Sequence, residues 1–359
     1  PLQLDILDVR QARPLNAFAW RRVLALPLVL SLLAGCAGRP ENVLQPVALT
    51  SNDTSRVDML VATTRKPADD PGRLYSGERG TAISLNNLTV SIPPDARRKV
   101  GEVQWPKRVP ADPEKEFAVL KVEKVASEQQ ALGWFRKNRN AKRQVIIFVH
   151  GFNNTYADAV FRFAQITHDA GTDAAPILFT WPSRASVFGY IYDKESTNYS
   201  RRALEDLIIQ ASSSPDVGDI TILAHSMGSW LTTEALRGVA MREQAIPVKV
   251  RNVVLASPDI DVDVFRRQLI EMGPKRPQFT IFASTRDRAL QVSQRISGGV
   301  SRVGSVDTTP YAGMLKQLGI TVIDTSAAGS NDALGHNAFA DSPEIISLLG
   351  KRLAGQSLE

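Results

Sequence analysis

The sequence predicts an α/β protein with a mostly parallel central sheet, antiparallel strands at its N-terminal side and helices on both faces. Three observations carry that expectation. First, six near-continuous apolar runs, "QVIIFVH" (144–150), "APILFTW" (175–181), "DITILAH" (219–225), "VRNVVLAS" (250–257), "QFTIFAS" (278–284) and "ITVIDTS" (320–326), are separated by segments long enough to hold a helix. Strands apolar throughout belong to a sheet covered on both faces, and alternation with helices makes that sheet parallel. Second, the earlier runs "VDMLVATTR" (57–65), "NNLTVSIP" (86–93), "GEVQW" (101–105) and "FAVLKVEKV" (117–125) are separated by Gly, Pro and Asp, the punctuation of antiparallel strands. Third, the intervening segments have helical period. Ala157, Val160, Phe161 and Ala164 share one face, opened by a Thr155/Asp158 capping box and closed by Gly171. "SRRALEDLIIQASSS" (200–214) reads as a second helix. Trp230, Leu231, Ala235 and Val239 mark a third, with Pro247 beyond its end.

The chain has 359 residues, 43% of them hydrophobic, enough for one large core or two smaller ones. Lys and Arg exceed Asp and Glu by 43 to 37. That balance is too mild for a nucleic-acid binder, and no basic run interleaved with aromatics exists.

The single cysteine, Cys36, follows "RRVLALPLVLSLLAG" (21–35): two arginines, an apolar run and a small-residue site. This is the composition of an export signal, too short for a helix across a bilayer core of ~30 Å. Leu33-Ala34-Gly35-Cys36 resembles the bacterial lipoprotein box, which implies removal of residues 1–35 and acylation of Cys36. Ala37 after the cysteine implies, by the same resemblance, the outer membrane and a protein facing the periplasm. Residues 36–55, polar and proline-punctuated, are expected to be the lipid-bearing tether, and 56–359 the folded domain.

Function is concentrated at "AHSMG" (224–228). A serine at a sharp strand-to-helix junction takes a strained backbone that lifts its Oγ above the sheet. Small residues two positions to either side, here Ala224 and Gly228, let strand and helix pack closely enough. A hydroxyl needs a base to become a nucleophile. Of the four histidines, His225 is expected to turn away in so tight a turn, His168 lies mid-helix, and His150 is expected to brace the loop after its strand. His336, beyond the carboxyl end of "ITVIDTS", is where open α/β sheets place reactive groups. The carboxylate that orients it should lie at a strand end between serine and histidine. Asp287 after "QFTIFAS" is the first choice and Asp259 after "VRNVVLAS" the alternative, with Asp259 or Asp261 also suited to capping a helix. The oxyanion needs two backbone N–H donors: Met227, after the nucleophile, and Phe152 in "HGFNNT" (150–155), where Gly151 lets the backbone come close.

Strand-HGF, strand-AHSMG-helix, a late aspartate and a final histidine resemble the α/β-hydrolase superfamily in the order Ser, Asp, His. "ATTRKP", "SGERG", "VSIPP", "TWPS" and "SPDID" resemble a largely uncharacterised bacterial esterase/lipase-like group within it. The resemblance implies a serine hydrolase but does not supply the substrate, for which a small-molecule or lipid carboxylic ester is the first expectation. No H-E-x-x-H, paired Cys/His cluster or dinucleotide fingerprint occurs in the sequence, so no metal or other cofactor is implied. The alternative is a non-catalytic envelope lipoprotein using the fold as a binding scaffold. Two segments could shape the substrate: residues 181–196, as a pocket wall or a packed loop, and the glycine-rich 295–305, as a flap.

Overall fold

The computed structural model describes residues 41–49, 52–307 and 312–354. The expected export signal over 1–35 and Cys36 lie outside the described residues.

The sheet is built from β1 Ser55–Pro67, β2 Tyr75–Ile92, β3 Ala118–Val125, β4 Val145–Val149, β5 Ala175–Thr180, β6 Ile220–His225, β7 Val250–Ala256, β8 Gln278–Ala283 and β9 Ile320–Asp324. Their order is β3-β2-β1-β5-β4-β6-β7-β8-β9. β1–β2 and β2–β3 pair antiparallel, and every pairing from β1–β5 to β8–β9 is parallel. The helices are α1 Glu128–Asn138, α2 Tyr156–Asp169, α3 Tyr190–Ser213, α4 Met227–Glu243, α5 Val262–Glu271, α6 Arg288–Ile296, α7 Ala312–Gln317, α8 Ala338–Asp341 and α9 Pro343–Leu353.

The apolar runs alternate sides residue by residue, as a pleated strand must. Val145, Ile147 and Val149 of β4 face one core, with Leu231, Ala235 and Val239 of α4 and Leu204 and Ile208 of α3. Ile146 and Phe148 face the other, with Phe161, Phe163 and Ile166 of α2 and Leu349 of α9. Both faces are therefore covered, as continuous apolar strands require. The capping box at Thr155 forms as expected: its Oγ1 accepts from the Asp158 N–H at 3.0 Å, and Asp158 accepts from the Thr155 N–H at 2.8 Å.

Three expectations are corrected. "GEVQW" forms no strand; Gln104 only accepts the Phe117 N–H, and the Trp105 ring packs edge-on against Phe161. The packed body begins before Arg56. Val43 and Leu44 are buried, Leu44 N–H donates to Gly72 O and Val47 N–H to Val119 O, so 41–49, read as tether, lies on the domain. The helix expected from Ser200 starts at Tyr190, because buried Asp193, Ser196 and Thr197 satisfy their polar atoms locally and continue the buried face of Ser200 and Leu204.

Candidate active site

Ser226 occupies the single residue between β6 and α4, with φ 52° and ψ −122°. For a residue bearing a Cβ this backbone costs on the order of 1–3 kcal/mol and persists only where its surroundings enforce it. Those surroundings are visible. The Ser226 N–H donates to Ala256 O at 2.9 Å, and its carbonyl accepts from Ser229 N–H at 3.0 Å and Asp259 N–H at 3.2 Å. A Cβ on Gly228 would sit 2.2 Å from His150 O and 2.6 Å from Val149 O, so only glycine lets α4 start this close to the end of β4. Gly151 is equally constrained: a Cβ there would lie 2.9 Å from the Ser226 Cβ and 2.8 Å from His225 Nδ1. The 151–154 loop thus runs directly against the serine.

Asp287 is fully buried at the N-cap of α6 and divides its carboxylate between two tasks. Oδ1 accepts from the Leu290 N–H at 3.0 Å, and Oδ2 lies 2.6 Å from His336 Nδ1. The cap holds the carboxylate still, and the carboxylate holds the imidazole. His336 sits in the β9–α8 loop, which Asp332 shapes by accepting the N–H groups of Leu334, His336 and Asn337. Burial disfavours the imidazolium, but the charge and hydrogen bond of Asp287 outweigh it and raise the His336 pKa above its ordinary value. With Nδ1 donating to the carboxylate, neutral His336 keeps the Nε2 lone pair available as a base.

The other histidines are engaged elsewhere. The His225 ring lies 4.7 Å from that of His336 and 4.5 Å from that of Phe339, and its Nε2 donates to His336 O at 3.2 Å. Burial, then the nearby His336, hold its pKa well below the ordinary value, so it stays neutral. His150 stacks on Trp181, donates from Nδ1 to Gly151 O and accepts the Trp181 N–H. Burial and then Arg65 push its pKa down to about 3. His168 pairs with Asp95 at 2.9 Å on the surface. Asp259, the alternative acid, makes no hydrogen bond to His336 among the described residues; its oxygens serve the Tyr190 and Ser293 hydroxyls and lie 3.3 Å from Arg302 Nε. Asp261 caps α5.

The backbone N–H groups of Phe152 and Met227 have no hydrogen-bond acceptor among the described residues. Two donors beside the serine are thus unspent. The loop carrying Phe152 is fixed by residues that sequence reasoning missed. Arg65 is 1% exposed, and its guanidinium donates to Asn154 O at 2.8 Å, Ser183 O at 3.1 Å, Ser76 O at 3.2 Å and Thr180 Oγ1 at 2.9 Å. Burial lowers its pKa to about 10, against the attraction of Asp193 and Asp158. Asp193 accepts from the Ser183 hydroxyl and from the N–H groups of Arg184 and Asn153, and burial raises its pKa despite these bonds. An arginine inside "ATTRKP" looks like an ordinary exposed strand residue; its one cue is its place in that family-like segment.

Of the two substrate-shaping segments, 181–196 is part packed and part exposed: Trp181 is buried, the Tyr190 ring meets Phe152 edge-on at 5.4 Å, and Phe188 is 81% exposed. In 295–305, Arg302 and Val303 are buried, and Gly304 N–H and O bond to Pro258 O and Ser284 N–H.

Among solved structures, the chain is similar to a putative cell surface hydrolase from Lactobacillus plantarum (14% identity, TM-score 0.38, 61% of this chain and 95% of that one). It is also similar to an esterase of Pyrobaculum calidifontis (11%, TM-score 0.36, 93% and 92%) and one of Pyrococcus furiosus (10%, TM-score 0.37, 88% and 99%). No curated protein matches it. The model of one family, described as an alpha/beta hydrolase of unknown function (DUF900), matches residues 125–352. With Ser226 at the strand-to-helix elbow and His336 and Asp287 paired beyond the later strands of the same sheet, the chain belongs to this α/β-hydrolase family.

Proposed function

We propose that the protein is a serine hydrolase of carboxylic esters. Ser226 attacks the carbonyl, His336 takes the proton and returns it to the leaving alcohol, Asp287 orients the ring, and the N–H groups of Met227 and Phe152 receive the oxyanion. Water then attacks the acyl-enzyme with His336 again as base. The observation that carries this reading is the 2.6 Å contact of Asp287 with His336 Nδ1, made by an imidazole that packs on the residue next to a left-handed serine. The unspent donors at 152 and 227 support it, because an oxyanion hole must keep its N–H groups unpaired until charge develops. In the same proposal Cys36 carries lipid and tethers the enzyme to the outer membrane, facing the periplasm.

A fluorophosphonate probe should label the wild-type protein and not Ser226→Ala, and a series of p-nitrophenyl esters should then define acyl length. Persistent labelling of Ser226→Ala would refute the assignment of the nucleophile. For the anchor, cells fed a radiolabelled fatty acid should label the full-length protein but not Cys36→Ser.

A further inference from the structure

Beside the elbow lies a half-buried cation that the chemistry above does not use. Lys194 stands one turn after Tyr190 on α3, and its Nζ lies 3.9 Å from the centroid of the Trp230 ring. Among the described residues it has neither a hydrogen-bond acceptor nor a carboxylate at ion-pair distance. Trp230 shares the deficit: its Nε1 is buried and has no acceptor among the described residues. A second cation, Arg302, is 5% exposed and shares Asp259 with the Tyr190 and Ser293 hydroxyls. The remaining acids around Lys194 are already engaged. Asp261 caps α5, and Glu234 binds Arg237 and Gln268. Burial pulls the Lys194 pKa down to about 8, which leaves the ammonium charged at neutral pH. A partly desolvated cation on an aromatic face, with an unpaired indole N–H at the same ring, has room for one anion.

This corner adjoins the serine by three separate ties. Trp230 lies one helical turn into α4 from Ser226. The Tyr190 hydroxyl joins the Lys194 turn of α3 to Asp259, whose N–H bonds the Ser226 carbonyl. The Tyr190 ring also abuts Phe152.

We propose that Lys194 and the Trp230 indole receive an anionic group of the substrate, a carboxylate or a phosphate, so that the enzyme acts on esters carrying a negative charge near the scissile bond. The proposal rests on the hydrolase reading and names the substrate class of the same site. A charge-assisted contact of this kind is worth about 10- to 100-fold in kcat/KM over a neutral counterpart of the same shape.

The test compares matched esters on the full chain. Mono-p-nitrophenyl glutarate against its methyl ester places the charge on the acyl side. 4-Butyryloxybenzoate and 4-butyryloxyphenyl phosphate, each against its methylated form, place a carboxylate or a phosphate on the leaving side. At least one charged member should be preferred by about 10-fold or more. That ratio should collapse in Lys194→Met, which keeps the stem over the indole, and survive largely in Lys194→Arg. Equal or better turnover of the neutral members, or a ratio unmoved in Lys194→Met, overturns the proposal. Calorimetric binding of the same esters to Ser226→Ala separates the two readings. Charge-selective binding that needs Lys194, in a protein without probe labelling, sinks the hydrolase and leaves the subsite. Labelling with no charge selectivity in turnover or binding sinks the subsite and leaves the hydrolase.

Discussion

Replacing Asp287 by asparagine probes the two jobs of one carboxylate separately. Oδ1 caps α6 through Leu290 and Oδ2 holds His336 Nδ1. Asparagine is as good an N-cap as aspartate, so the cap survives, and the loss of charge at the helix start costs about 0.3–1 kcal/mol. The second job does not survive. An amide nitrogen facing Nδ1 forces the neutral ring to carry its proton on Nε2, which can then no longer act as a base. A wrong tautomer of this kind costs on the order of 10⁴ in kcat, or about 5.5 kcal/mol of transition-state stabilisation. The pH profile adds a sign. In the wild type the Asp287 charge holds the His336 pKa above its ordinary 6.5, so the rising limb of kcat/KM lies above that pH. In Asp287→Asn the opposing burial remains against only the lesser attraction of Asp332 and Asp259, and the limb of the residual activity should move down. Stability follows the same linkage: a raised folded-state histidine pKa stabilises fully below the unfolded value and loses that contribution as pH rises through the folded one. The wild type should therefore lead the variant in urea unfolding by more at pH 6 than at pH 9. The assay is hydrolysis of p-nitrophenyl butyrate from pH 5 to 9 alongside urea melts. Retention of more than a tenth of wild-type kcat/KM, or a limb that stays put, would refute the reasoning, as would equal damage from Asp259→Asn.

Three further outcomes are expected. Ser226→Gly should be inactive yet more stable than Ser226→Ala by about 1 kcal/mol, because only glycine relieves the left-handed backbone; equal urea midpoints would show that the elbow stores no strain. Gly228→Ala should cost about 1–3 kcal/mol and lower kcat/KM on the order of 100-fold, since its Cβ meets backbone oxygens of β4's end and must push Met227 away. A thermal melt and an ester assay check both, and wild-type values in either would contradict the contact. Arg65→Met leaves the buried carbonyl of Ser183 without this donor at about 1–3 kcal/mol, and the part-buried carbonyls of Ser76 and Asn154 at less, so a loss below about 1 kcal/mol in urea unfolding would argue against its role in holding the 151–154 loop.

Much of the framework was legible because its signals are local. Continuous apolar strands announced a doubly covered sheet, and Thr155 with Asp158 announced the start of α2. Ala-His-Ser-Met-Gly announced a turn whose steric demand is met within five residues. Other features were illegible for an equally physical reason. "GEVQW" has the composition of a strand, but it meets the start of β3 through the single Phe117 N–H to Gln104 O bond and no ladder follows. Arg65 and Asp193 look like surface charges in sequence. Their burial becomes tolerable only when Thr180, Ser183, Asn153 and Asn154 arrive from other elements.

By itself, the sequence determined the class of fold, the position of the serine and the small set of acids and imidazoles from which partners could be drawn, since periodicity and turn chemistry act over a few residues. The choice among those partners was tertiary. Asp287 and Asp259 are equivalent as strand-end aspartates. They differ because the α6 cap points Asp287 at His336, while Tyr190, Ser293 and Arg302 claim Asp259. Hydrogen bonds and charge pairs act over a few ångströms of space, not of sequence, so which groups meet, and which cation is left without an anion, was decided only when distant segments packed together.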